Sequence, residues 1–418
     1  MCECGVDLAR RCLSCARLAA SEGRERCRTM RIGINTLSIA PSRGGAKTFV
    51  TNLARSMARV ENRHTYVLFV SPINKHLFGG LPESFQSVSL PLWADSRPVR
   101  ILCEQLLLPY HVARNKIDVL LSPGNVASLA TRCKQVLVLH GPLVIRRLRR
   151  RYAPKEIRRI EALFHDLMLP LSVKRSAKTI AVSQDIKEWL LKQVRIDRSK
   201  VVVVHEGVDF QKFYSAAAEV ASRPQRRYVL FLSTLFRYKN ADKAIRAFAL
   251  MKQRRSIPEH ELLIVGRDPG GYLDGLRKLV NELGLGEDTV RFLGAVPHKE
   301  VPELYRGADV FLYPSTVESF GLPPLEAMAS GTPVIASNRC SVPEIVGDAG
   351  LIVDPDNVEA LAEAILRVLK DQQLRQRLVQ RGYKRAEAFT WEKAARETLD
   401  VLEEVGGEER LRGTQRGQ

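Results

Sequence analysis

Long apolar runs are missing from this chain of 418 residues. No uncharged apolar stretch approaches the roughly 18–20 residues needed to span a bilayer, so no membrane-spanning helix is read from it. The opening Met-Cys-Glu-Cys-Gly continues into mixed arginines and acids without the apolar core of a secretory signal, which points to the cytoplasm. Aromatic residues are scarce, at 6%. Without a stacking ladder, zinc-finger spacing or an RNA-binding sheet signature, no nucleic acid partner is expected. Acids are also short: 46 Asp and Glu stand against 65 Lys and Arg, a formal net charge of +19, which calls for an anionic partner or surface. Cysteine is sparse outside the first 27 residues, where Cys103, Cys133 and Cys340 read as small core residues. Within those first residues, Cys2, Cys4, Cys12 and Cys15 have a spacing that could hold zinc as four thiolates. No strand or helix signal supports them, so residues 1–29 are read as a disordered or mis-started extension, with zinc as the alternative.

The hydrophobic share of 45% is that of a globular protein, and the length suits two domains. Short apolar runs alternate with helical patterns, the mark of parallel sheets with crossover helices. Strands are expected at 31–35, 66–70, 119–121, 136–139, 179–182 and 201–204, with helices at 46–59, 99–114, 154–176 and 185–192. A small-residue, polar stretch at 215–226 separates this half from the next. Strands at 228–233, 261–265, 290–292, 310–313, 334–336 and 351–353 follow, with helices at 241–251, 273–283, 358–370 and 389–405. The fold class is therefore α/β, two doubly wound Rossmann-like domains facing a cleft, where ligands bind beyond the carboxyl ends of the strands. The domains are placed at 30–210 and 211–385, followed by a helix over 386–405 and a disordered tail from 406 to 418.

One carboxylate stands out. Glu326 is the only charged residue from Ser319 to Asn338, and Glu318 immediately precedes that run. Pro323 and Pro324 suit the first turn of a helix, and Gly331 and Pro333 end it after about two turns. An ionised Glu on so apolar a helix needs a partner. Phe320-Gly321-Leu322 lies at the helix start, where free amides and the dipole favour an anion. Carboxylates accept from vicinal hydroxyls, so phosphate and diol together describe a nucleotide sugar.

The string Glu318-Ser-Phe-Gly-Leu-Pro-Pro-Leu-Glu326-Ala-Met-Ala-Ser-Gly-Thr-Pro-Val resembles the donor segment of the family-4 glycosyltransferases, retaining enzymes of the GT-B fold. The resemblance covers nearly all of residues 30–405 and implies that the last helix crosses back to the first domain. It places Lys239 on the donor diphosphate and Arg237 as a shifted substitute for an Arg that relatives carry near Thr234. It implies that Gly44-Gly45 meets the donor phosphates and the acceptor. His140 would touch the donor sugar, although Gly141 stands where the family has Asp, leaving no partner for the histidine. Glu206-Gly207-Val208-Asp209 stands where Asn-Gly-Val-Asp is usual, with Gly207 and Asp209 read as interdomain architecture. Ser183 and Pro343-Glu344-Ile345-Val346-Gly347 match too. Glu318 would hold sugar hydroxyls and Glu326 the ribose, while phosphate charge would fall to Lys239, Arg237 and the amides near Gly321 and Leu322.

No cofactor is expected. No Asp-x-Asp pair is read beside a strand end of the second domain, so no catalytic metal is expected either. The implied partners are a nucleotide-diphosphate sugar of GDP-mannose or UDP-glucose type and a glycan or lipid-linked acceptor. Rival readings are a GT-B-like epimerase or phosphorylase, and a non-catalytic nucleotide-sugar or nucleic-acid binding module. Eight basic residues and one acid run from Arg146 to Arg159, and Ile160, Leu163, Phe164, Leu167, Met168 and Leu171 follow at roughly helical spacing. This stretch is either a peripheral contact to an anionic membrane or a solvated face over core residues.

Overall fold

Strands such as Val119–Ser122, Val310–Tyr313 and Val334–Ser337 are buried at every position, as expected where helices cover both faces of a parallel sheet. The computed structural model describes residues 29–39, 44–92, 97–140, 159–214, 227–254, 259–286 and 288–414. Cys2, Cys4, Cys12 and Cys15, most of the basic stretch from Arg146, and the 215–226 linker lie outside the described residues.

Among the described residues the strands form two parallel sheets. The first holds β1 (Arg31–Asn35), β2 (Thr65–Val70), β3 (Phe85–Ser89), β4 (Val119–Ser122), β5 (Lys134–Leu139), β6 (Lys178–Ala181) and β7 (Val201–Val203). Its spatial order is β3-β2-β1-β4-β5-β6-β7, which reverses between β1 and β4. The second holds β8 (Arg227–Leu232), β9 (His260–Val265), β10 (Val290–Gly294), β11 (Val310–Tyr313), β12 (Val334–Ser337) and β13 (Gly350–Val353). Its order, β10-β9-β8-β11-β12-β13, reverses between β8 and β11. At such a reversal the neighbouring connections leave on opposite faces and open a crevice, so the loops after β8 and β11 should border a ligand.

The helices that matter for the site are α1 (Gly44–Val60), α2 (Arg159–Arg175), α3 (Gln184–Gln193), α4 (Ala241–Gln253), α5 (Leu322–Ala329) and α6 (Trp391–Thr414). Helix α1 turns Phe49, Val50, Leu53 and Met57 into the core, an apolar stripe at helical spacing. Helix α6 crosses back over the first sheet, as the resemblance implies. Its return is fixed by Lys134 Nζ donating to the Val405 carbonyl at 2.9 Å and by His64 Nε2 lying 2.8 Å from Glu403.

Several elements were not foreseen. β3 is a half-exposed edge strand whose FQSVS lacks a strong apolar run. The helix Gln372–Glu387 buries only Leu374, Leu378, Gly382 and Ala386 in an otherwise polar sequence. The short helices Val301–Gly307 and Val342–Val346 were also missed. Helix α6 continues through Gly406 to Thr414, beyond the tail boundary expected at 406.

The passage between the halves depends on one close approach. Val208 N donates to the Phe389 carbonyl at 2.9 Å, and Val208 pairs with Thr390 as an isolated bridge. A Cβ at Gly207 would stand 2.2 Å from Trp391 N. Gly207→Ala must therefore push the crossing segments apart, an overpacking cost of about 1–3 kcal/mol. Denaturant titration should show a lower midpoint, and an unchanged midpoint would contradict this packing account.

Candidate active site

The loop after β8 and the loop after β11 meet at the reversal of the second sheet. Residues 237–239 form a single turn, and Asn240 follows in the left-handed conformation at φ 58°. Asn240 occupies the position before α4 but does not cap it with its side chain. Its amide donates instead to the Pro314 carbonyl at 2.7 Å, joining the two loops. Lys239 Nζ pairs directly with Glu318 Oε1, and Tyr313 Oη donates to the same oxygen at 2.5 Å. Lys239 also lies 5.3 Å and 5.4 Å from the Tyr238 and Tyr313 ring centroids. Burial, reinforced by the Glu318 charge, pushes the Tyr313 hydroxyl well above its ordinary range, so it stays a neutral donor.

Gly321 precedes α5 at φ 123°, a backbone that only glycine adopts without strain. Pro323 and Pro324 occupy the first turn and carry no N–H, which leaves Gly321 and Leu322 as the amides available at this end. These groups border a cavity of about 460 Å³ together with Gly45, His140, Glu206, Thr234, Lys239, Glu318 and Phe320. Gly44 opens α1 beside Gly45, and a Cβ at Gly45 would meet nothing within 4 Å.

Three readings change. Arg237 is not on the cavity wall: its guanidinium stacks 5.0 Å from the Tyr272 ring centroid, because the turn at 237–239 points consecutive cations in different directions. Arg267, beyond β9, lines the cavity instead. It follows Gly266, where a Cβ would fall 1.7 Å from the Ser233 carbonyl oxygen. A cation directly after a strand and a glycine was the available signal.

His140 does have a carboxylate partner, since Glu206 Oε1 lies 3.3 Å from its Nδ1. Finally, Glu318 and Glu326 do not share one cavity. Glu326 borders an adjoining space of about 400 Å³ with Lys47, Arg55, Lys212 and His298, and Leu322 lines both. Tyr305 Oη donates to Glu326 Oε2 at 3.2 Å. Burial pushes the Glu326 carboxyl above the usual range, opposed by His298, the Tyr305 hydrogen bond and Lys212.

The two halves are joined beside the cavity. Ser319 Oγ donates to the His140 carbonyl and Ser183 Oγ to the Ser319 carbonyl, both at 2.7 Å. Glu344 accepts from the Gln184 amide at 2.9 Å, at the start of α3, and lies 2.7 Å from His205 Nε2. Burial raises the Glu344 carboxyl, but His205 and the α3 amides outweigh it and hold it below its ordinary range.

An Asp-x-Asp pair does follow a strand, contrary to expectation. Asp354-Pro355-Asp356 comes directly after β13, at the sheet edge, where Arg339 and Lys243 engage the carboxylates. Glu61, His64 and Glu403 also converge, yet Arg63 pairs with both acids and the Met30 amide donates to His64 Nδ1. Both groups are ion-paired networks rather than open metal sites.

The family model described as Glycosyltransferase Family 4 matches residues 43–212, and that described as Glycosyl transferases group 1 matches residues 215–385. The chain is 41% identical over 176 residues to O-antigen chain mannosyltransferase B of Escherichia coli, covering 42% of this chain and 45% of that protein. It is 30% identical over 262 residues to O-antigen chain mannosyltransferase RfbU of Salmonella typhimurium, covering 60% of this chain and 70% of that protein. The chain spans about half the length of several curated relatives it matches. Sucrose-phosphate synthase from Thermosynechococcus elongatus superimposes with a TM-score of 0.73 at 22% identity, covering 91% of this chain and all of that one. That likeness shows a shared two-domain α/β fold of GT-B type. From its two matched models and its sequence relatives, the chain belongs to the family-4 glycosyltransferases, group 1.

Proposed function

We propose that this chain transfers a hexose from a nucleotide-diphosphate sugar to a glycan or lipid-linked acceptor, with retention and without a metal ion. The carrying observation is one cavity that brings Lys239, Glu318 and the Gly321–Leu322 amides together. A diphosphate would lie against Lys239 and those amides, with Arg267 as the second cation and Gly44-Gly45 facing it from the first domain. Glu318 would exchange part of its pairing for sugar hydroxyls, and Glu326, across Leu322, would hold the ribose. The C1–O bond to the donor phosphate breaks while the acceptor oxygen bonds C1 on the same face. The acceptor proton passes to the departing phosphate. Relatives that act on O-antigen chains support a glycan acceptor.

The decisive experiment supplies labelled GDP-mannose or UDP-glucose and an acceptor extract in the presence of a chelator. Transfer should persist, and dependence on magnesium or manganese would count against the metal-free reading. Lys239→Ala should lower turnover about 100-fold, the scale of one lost electrostatic stabiliser. Arg267→Ala should impair turnover more than Arg237→Ala, and the reverse order would return the diphosphate to Arg237.

Glu326 carries a pH dependence of definite sign. Burial raises its pKa in the fold, so ionisation costs stability as pH rises through that value. Diol hydroxyls favour the ionised form, so donor binding should tighten over the same rise. Acidification should therefore weaken binding at a pH above the usual Glu value of about 4.3. Glu326→Gln should remove this dependence and weaken binding about tenfold or more, the worth of a charge-assisted hydrogen bond. An unaltered titration of donor affinity in this variant would remove Glu326 from the ribose.

A peripheral membrane contact by the first domain is the remaining part of the proposal. No helix among the described residues is long and apolar enough to cross a membrane. Leu102, Leu106 and Tyr110 are about three-fifths exposed on the helical segment 97–114, and Leu167 is equally so on α2. Gln105 and Ser172 both bond Ala127, which sets these two apolar faces on either side of one loop. Met168 is buried, so α2 serves the core with one side and leaves Leu167 and Leu171 outside. The basic stretch from Arg146 to Arg159 leads into α2 in sequence, a charge suited to anionic lipid. Vesicles containing phosphatidylglycerol should co-sediment the wild type, and a Leu102→Ser, Leu106→Ser, Tyr110→Ser variant should be lost from the pellet. Equal sedimentation of both would leave the face without this role.

A further inference from the structure

His140 has all but one of its polar groups engaged among the described residues. Its N–H donates to Asn125 Oδ1 at 2.7 Å, and its carbonyl accepts from Ser319 Oγ. Phe49 meets the ring edge-on at 4.1 Å between centroids. Nδ1 faces Glu206 Oε1, while Nε2 is buried without a partner. Both side chains border the cavity that holds Lys239 and Glu318.

An ionised carboxylate only accepts hydrogen bonds, so Glu206 selects the imidazole tautomer with its proton on Nδ1. Nε2 is then an acceptor, and a buried acceptor left unmatched is costly. A hydroxyl supplies the missing donor. We infer that Glu206 is a positioning residue, fixing His140 so that Nε2 accepts a hydrogen bond from a hydroxyl of the transferred sugar. This inference rests on the sugar-transfer reading of the cavity. The sequence pattern agrees with it. Gly141 occupies the place where the resemblance has an acid beside the histidine, and Glu206 occupies a place where it has Asn.

Removing Glu206 changes which ring nitrogen carries the proton, an effect that removal of a merely structural acid would not have. In the full chain labelled with 15N-histidine, wild-type His140 should show a protonated Nδ1 and a bare Nε2 near pH 8. The signal is assigned by its absence from His140→Phe. Glu206→Leu removes the acceptor facing Nδ1 and should cost the ring its Nδ1–H preference. Binding supplies the second readout. Glu206→Leu should weaken GDP-mannose or UDP-glucose, whichever the wild type binds, by about tenfold, the worth of one hydrogen bond, and leave free GDP or UDP within about twofold. Protonated Nε2 in the wild type, or an unchanged tautomer in Glu206→Leu, overturns the inference. So does equal weakening of sugar nucleotide and bare nucleotide. If the wild type binds neither donor, the proposed donor class fails, while the tautomer measurement still decides the role of Glu206.

Discussion

The contact of Lys239 and Tyr313 with one oxygen of Glu318 ties the loop after β8 to the loop after β11, and the remaining cavity geometry follows from that tie. Lys239 is held on the turn that ends at left-handed Asn240, and the Asn240 amide reaches the Pro314 carbonyl from the same loop. With both ends secured, the chain passes through Ser319 and Phe320 to Gly321 and enters α5 on the wall of the cavity that Lys239 also lines. Removing one partner of such a largely buried pair leaves the other uncompensated, a cost of about 3–5 kcal/mol. Ligand binding therefore has to replace these contacts and cannot simply break them. A phosphate for Lys239 and hydroxyls for Glu318 are chemically suited to that exchange.

The same loop carries the connection between domains. Ser319 supplies its hydroxyl to His140 and its carbonyl to Ser183, so two strand ends of the first sheet contact the segment next to Glu318. Glu344 reinforces the junction through α3 and His205. Gly207 then lets the crossover peptide lie against Phe389–Trp391, and α6 returns to the first sheet. Crossover, interdomain hydrogen bonds and cavity wall are thus continuous. A change in domain spacing must alter the distance between His140 and the Glu318 loop.

Residue pattern alone reached the sheets, the two-turn helix at Glu326 and the loop containing Lys239, because buried parallel strands and paired prolines leave strong local signals. It missed β3 and Gln372–Glu387, whose burial is confined to an edge or to one residue in four. Arg237 is read onto the diphosphate beside Lys239, as a shifted substitute, because a one-turn helix gives no sequence clue to which cation faces inward. The pairing of Glu206 with His140, and the place of Arg267 on the same wall, depend on bringing distant strand ends together. Asp354-Pro355-Asp356 stands apart from the cavity because it follows the edge strand β13, where Arg339 and Lys243 engage its carboxylates.

The central claim is that the Gly321–Leu322 amides and Lys239 receive the donor diphosphate. Hydrogen exchange of the peptide spanning residues 318–326 measures this directly in the full chain, with and without saturating GDP-mannose or UDP-glucose. The account predicts slower exchange at Gly321 and Leu322 on donor binding, and loss of that slowing in Lys239→Ala at matched occupancy. Donor-saturated protein with unchanged exchange at these two amides would contradict it.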